Sequence, residues 1–235
     1  MRPAPPGFQE SLYEAEVREA LDAIATKSGI ERQGLVLRLM TVLKQICNHP
    51  AQYLHQAGPV PGRSGKLAAL DELLEVIVGA GDSVLVFSQF VEMCSLIESH
   101  LATLQVPTLF LHGGVPARKR EEMVARFQAG NVPVFLLSLK AGGVGLNLTQ
   151  ATHVIHYDRW WNPAVEDQAT DRAHRIGQTK KVFVHRLVTL GTIEEKMEVL
   201  KEKKRAIVAS VMDAEHGGAL SLTEADIEEL FAPAG

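Results

Sequence analysis

Five short apolar runs, separated by amphipathic stretches, leave this chain very few architectures. The runs are SVLVFS, TLFLHG, VPVFLLS, HVIHYD and VFVHRLV, spread between residues 83 and 188. They lack the strict apolar–polar alternation of a strand with one wet face, so each reads as a strand covered on both sides. KLAALDELLEVIV precedes the first, and FVEMCSLIESHLATL, RKREEMVARFQ and PAVEDQATDRAHR lie between later ones, all with helical spacing. Gly130 follows RKREEMVARFQ where a left-handed C-terminal cap belongs. Doubly covered strands alternating with helices predict a parallel sheet with helices on both faces, an α/β doubly wound domain.

The flanks read differently. Residues 1–7 are proline-rich and expected to be disordered. One helix is expected from Gln9 to about Ala25 and another from about Gly34 to Ile46, the second closed by the turn CNHP. HQAGPVPGRSGK, residues 55–66, reads as a linker. Beyond the last strand, TLGTIEEKMEVLKEKKRAIVASVM predicts a long helix, with Thr192 and Glu195 spaced as a capping box. Its stripe of Ile193, Met197, Leu200, Ile207 and Val211 must dock on something. The expected divisions are a helical preamble with linker (1–63), the sheet domain (64–190), and the terminal helix with its tail (191–235).

Composition removes several function classes. At 46% hydrophobic, 22% charged and a net charge of −4, the chain is an ordinary globular domain, not a bulk nucleic-acid binder. Any such contact needs local basic clusters, found at 118–120, 180–181 and 201–205. No apolar run approaches the ~20 residues of a membrane span. Only two cysteines occur, Cys47 and Cys94, which gives no disulfide framework and fits a reducing cytoplasm.

Some features imitate chemistry. GRSGK, residues 62–66, looks like a phosphate loop but lacks its spacing and its following Ser or Thr, so it reads as a linker and helix start. DELL at Asp71 resembles a metal-holding acidic box, yet it falls inside a helical pattern rather than at a strand end. His153 and His156 point to opposite faces of a strand, which argues against metal ligation. No residue is put forward as a metal ligand.

QATDRAHRIGQ, residues 168–178, places Arg172 and Arg175 three apart. On a helix these share a face, and two permanently charged guanidiniums suit a polyphosphate, although an isolated RxxR is more often a solvated face. SLKAGGVGLNLTQ follows the strand VPVFLL directly. Gly142, Gly143 and Gly145 let the backbone approach an anion, and Ser138 and Lys140 add a hydroxyl and a charge. Such a loop is expected beyond the carboxyl ends of the strands, where doubly wound sheets bind ligands.

This loop, the following WWNP run and QATDRAHRIGQ together resemble the second RecA-like lobe of superfamily-two helicases. More narrowly, they are similar to the Swi/Snf family of ATP-dependent DNA translocases. LKQICNHP (43–50), SGKL (64–67), VLVFSQF (84–90), HGGVPARKREEMVARF (112–127) and GTIEEKM (191–197) share the likeness. The resemblance implies ATP with Mg²⁺, held mainly by an N-terminal RecA-like lobe, and double-stranded DNA as partner. Arg172 and Arg175 match arginine fingers that reach the γ-phosphate, and Gln168 belongs to the same motif. Gly145 and Asn147 match the loop near the ribose and the lobe interface. Ser138, Lys140 and Gly143 match positions near the tracked strand's phosphates, and Gly113, Gly114 and Arg120 a segment along the DNA backbone. Trp160 and Trp161 match a tryptophan pair with expected core and lobe-contact roles, and the terminal helix resembles a brace crossing to the first lobe. The first lobe's phosphate loop and acidic box are not in this sequence, so the chain is expected to be a C-terminal fragment with negligible ATPase activity alone. The resemblance implies a nucleoid setting in a prokaryote or a nuclear one in a eukaryote. The alternatives are the second lobe of an RNA helicase, a non-catalytic nucleic-acid-binding module, or a remnant.

Overall fold

The computed structural model describes residues 1–56, 61–138, 146–160, 163–174, 178–200, 202 and 230–231. Each apolar run forms a strand: β1 (Val84–Ser88), β2 (Thr108–Leu111), β3 (Val134–Ser138), β4 (His153–His156) and β5 (Phe183–Arg186). They pair in the order β2-β3-β1-β4-β5, parallel throughout. The doubly wound α/β expectation therefore holds.

Alternate residues of each strand feed opposite cores, as the pleat requires. Val84 and Val86 face α4 (Gly65–Gly79) and α5 (Val91–Thr103), which contribute Leu67, Leu70, Leu74, Met93, Ile97 and Leu101. Leu85 and Phe87 face α6 (Ala117–Gln128) and α7 (Pro163–Thr170) through Met123, Phe127 and Ala169. Gly130, at φ +74°, caps α6: its own N–H bonds to Phe127 and that of Asn131 to Arg126. The expected burial of VFVHRLV holds only in part. β5 is an edge strand, Phe183 is 46% exposed, and the burial resumes at Leu187 and Val188.

A third core joins the flanks. α1 (Gly7–Ala25) and α2 (Gly29–Asn48) pack with Ile193, Met197 and Leu200 of a helix over 193–200, and with Leu230 and Phe231. For Ile193, Met197 and Leu200 the docking demanded by the terminal stripe is thus met by the preamble; Ile207 and Val211 lie outside the described residues. Gln9 is buried and donates to the carbonyls of Ile46 and Cys47, which pins the end of α2. The capping box is displaced by one residue: Thr192 Oγ1 accepts from Glu194 N, and Glu195 accepts from Gly191 N.

The expectation of disorder for residues 1–7 fails. Val188 N and Leu190 N donate to the carbonyls of Met1 and Pro3, and a Cβ on Gly65 would lie 2.2 Å from Ala4 O. Prolines cannot donate, but Val188 and Leu190 need only acceptors, and the one donor, to Arg186 O, is the Met1 amino group.

Candidate nucleotide and nucleic-acid interface

Because every strand is parallel, the loops after β2, β3, β1, β4 and β5 leave from one edge of the sheet. Gly113 and Gly114 follow β2 at that edge and are exposed. Arg120 sits half-buried in the first turn of α6, where its Nε has no hydrogen-bond partner among the described residues. Ser138 ends β3 opposite Ser88; its buried Oγ likewise finds no partner among the described residues. Lys140, Gly143 and Gly145 lie outside the described residues.

The second half of the constellation lies elsewhere. Leu148 N donates to Arg172 O, and the carboxamide of Gln178 donates to the carbonyls of Thr149 and Ala151. Gln150 N bonds Gln128 at the end of α6, and Thr152 N bonds Ser83 O just before β1. Residues 148–152 therefore run along the amino ends of the strands, and exposed Asn147 is brought to the Arg172 segment there. The described residues expected around one position beyond the carboxyl ends thus fall at two sides of the sheet.

The helix expected through Arg175 stops at Thr170. Past it, Arg172 N bonds Ala169 O and Ala173 N bonds Thr170 O, the tighter spacing of a terminal turn. Arg172 O accepts instead from Leu148 N, outside the helix. Gln168 is exposed on the last turn of α7, whereas Arg172 is only 6% exposed. Arg172 is thus a buried arginine in a turn, and Arg175, with the face the two were expected to share, lies outside the described residues. Trp160 is half-buried; Trp161 lies outside the described residues.

His156 helps hold α7, with Nε2 3.0 Å from Thr170 Oγ1 and its ring stacked on Phe87. Burial pushes this imidazole down to about 4, against Glu166, which raises it. The unfolded chain therefore takes up the proton first. His156 contributes its stability fully above about pH 6.5 and loses it as pH falls toward 4, at about 1.4 kcal/mol per pH unit. Burial raises Asp158, which acts in the opposite direction. Unfolding free energies from urea titrations at pH 7.5 and 5.0 should differ by about 2 kcal/mol more in wild type than in His156→Gln; equal differences would show that the imidazole does not titrate this way.

No local pattern marks the residues at the centre of the fold. The connections from adjacent β1 and β4 leave in opposite directions along the sheet, and this switch point is where doubly wound folds open a ligand crevice. Here the chain itself occupies the place. Asp158 accepts from Ser88 Oγ, from Gln89 N at 3.0 Å and from Asn48 at 3.3 Å. Lys66, fully buried, bonds Asn48 Oδ1 at 3.1 Å and Glu194 at 2.5 Å. Ser64 caps α4 by accepting from Leu67 N and donates to Asn48 O, which also accepts from Tyr157. Burial lowers the Lys44 ammonium nearby, with Asp158 and Glu194 opposing.

GRSGK is thus a helix start, and its lysine is an internal counterion. Asp71, the other imitation, is half-exposed and pairs with His100 at 2.8 Å. His153 lies 3.1 Å from His185 on the face opposite His156. Among the described residues no three His, Cys, Asp or Glu side chains gather as a metal ion requires, and both cysteines are free and buried. No described helix is long and apolar enough to cross a membrane.

Comparison with known proteins bears on these motifs. The family described as helicase conserved C-terminal domain matches residues 65–177. The putative ATP-dependent helicase/translocase YwqA of Bacillus subtilis is 46% identical over 226 residues, which are 95% of this chain and 24% of that protein. The chromatin-remodeling ATPase INO80 of Aspergillus oryzae is 40% identical over 86% of this chain and 15% of its own. The Sulfolobus solfataricus SWI2/SNF2 ATPase core in complex with dsDNA matches with a TM-score of 0.85 at 34% identity, over all of this chain and 50% of that one. The C-terminal domain of the Sulfolobus ATPase matches at 0.81 and 33% identity, with 97% of it covered. The chain spans about a quarter or less of these curated relatives and nearly all of that C-terminal domain.

Proposed function

This chain belongs to the SWI2/SNF2 ATPase family as a C-terminal helicase lobe, and from that premise we propose that it supplies half of the ATP site and part of the duplex-DNA track of a translocase. The observation that carries the reading is the Leu148–Arg172 hydrogen bond. It ties the exit of the glycine loop to the finger segment, so ribose and γ-phosphate contacts would be set by one rigid unit. Arg172 and Arg175, with Gln168 beside them, would face the γ-phosphate, and Gly145 and Asn147 the ribose side. ATP, with its Mg²⁺, would be held mainly by an N-terminal RecA-like lobe, and when bound it supplies the phosphoryl group and its charge. A guanidinium is suited to that charge because its planar fork is always protonated and donates without reorganising.

Ser138, Lys140, Gly143, Gly113, Gly114 and Arg120 would meet the DNA backbone. The unpartnered hydroxyl of Ser138 and Nε of Arg120 fit this, since a buried donor without a partner is costly unless a ligand completes it. The relative solved with dsDNA supports duplex DNA over RNA as partner.

The test is reconstitution. Mixing the chain with a separately produced N-terminal lobe of a close relative, ATP, Mg²⁺ and duplex DNA should yield DNA-stimulated phosphate release that neither lobe gives alone. Turnover by this chain alone, or none on mixing, would contradict the half-site reading.

A further inference from the structure

Arg159 follows β4 in the run DRWWNP, where an exposed arginine would serve a phosphate. It does not stand free: each of its three guanidinium nitrogens is engaged within the protein. Nε and Nη2 donate to the two oxygens of Glu166 at 2.8 and 2.9 Å, and Nη1 pairs with Glu198. Glu166 lies in the first turn of α7 and also accepts from Trp160 N at 2.8 Å, with Arg186 at 3.8 Å. Glu198 lies on the 193–200 helix, with Arg2 at 4.0 Å on its outer side.

Glu194 and Glu198 are four apart and share a helix face. One reaches Lys66 in the network around Asp158; the other reaches Arg159, the next residue along the chain. The 193–200 helix thus reaches the segment after β4 directly at Arg159, and at Asp158 only through Lys66 and Asn48. From Arg159 a bidentate pair leads directly into α7, the helix whose terminal turn carries Arg172.

We propose that Arg159 is a positioning residue that couples the 193–200 helix to the Arg172 segment through Glu198 and Glu166. The proposal rests on the ATP half-site reading. A bidentate arginine–carboxylate pair fixes orientation as well as distance, so α7 has one defined angle while both ends hold. Glu198 keeps 21% of its side chain exposed, making it the member of the relay that can be released without opening a core. Whatever moves the 193–200 helix therefore changes where Arg172 stands.

Amide hydrogen exchange on the chain alone, comparing wild type with Glu198→Gln, reads the coupling without catalysis. The expected result is about tenfold faster exchange at Leu148 N–H and across residues 166–174, with β3 amides unchanged. Unchanged exchange at those sites, or uniform acceleration everywhere, overturns the proposal. In the reconstituted assembly, Glu198→Gln and Arg159→Lys should each lower kcat by about 10- to 100-fold, with KM for ATP and DNA affinity within twofold. The double variant should lose no more than the worse single one, because both cut one relay; additive losses overturn it. Arg172→Ala separates the failures. If Arg172→Ala abolishes turnover while Glu198→Gln is silent in both readouts, the relay alone is wrong. If Arg172→Ala is silent as well, the half-site reading has failed.

Discussion

Arg172→Ala lowers DNA-stimulated ATP hydrolysis by the reconstituted two-lobe assembly by ~10³–10⁵-fold, the range that arginine fingers supply in phosphoryl transfer. The effect falls on kcat, because the guanidinium meets charge that grows in the transition state rather than in bound ATP. Arg172→Lys recovers only part of it: the ammonium keeps the charge but loses the planar fork. Arg172 is 6% exposed, so alanine also removes packing, and circular dichroism melting of both variants is needed beside the rates. DNA affinity should remain near wild type and retain its salt dependence. Arg120→Ala should instead weaken DNA binding and flatten that dependence by about one phosphate contact. A rate unchanged by Arg172→Ala, with DNA binding intact, would favour a non-catalytic binding module.

Lys66→Met costs about 3–5 kcal/mol of folding stability, the price of leaving one member of a buried ion pair alone. Glu194 keeps the N–H of Thr189 and the influence of Lys44 but loses its bonded ammonium: both side chains of the pair have no solvent exposure, and Asn48 Oδ1 loses a donor at the same stroke. Against the ~5–15 kcal/mol that holds a typical domain together, this single change takes a large share. Urea or thermal unfolding measures it directly. Lys66→Met with Glu194→Leu should recover most of the loss, since a well-packed apolar pair removes the stranded charge. If Lys66→Met unfolds at the wild-type midpoint, the hub does not hold the 193–200 helix to the sheet.

The contrast between these lysine and arginine positions shows what the sequence disclosed. GRSGK was legible as a helix start because phosphate loops demand a spacing it lacks, and Ser64 does cap α4. The fate of Lys66 was not legible. Its counterion is 128 positions away, and no local pattern marks Glu194 apart from its neighbour Glu195. The capping-box spacing even drew notice to Glu195, which sits on the outside with Arg2. Arg159 was passed over for the same reason: a lone arginine after a strand looks like surface until Glu166 and Glu198 close around it.

The five apolar runs determined the sheet, its parallel sense and its two helical faces, because burial on both sides leaves no other way to satisfy such strands. Glycine and arginine spacing, with the likeness of the motifs, determined which stretches are proposed to meet nucleotide and DNA. Only the tertiary structure decided that the Arg172 segment leaves the helix at Thr170 and sits by the amino ends of the strands. It alone decided that the first residues lie along 186–190, and that the switch-point crevice is closed by Asn48, Lys66 and Glu194. Strand burial and helix period are local properties repeated every few residues. Ion pairs and terminal turns depend on which distant partner arrives, and that is settled only when the layers pack.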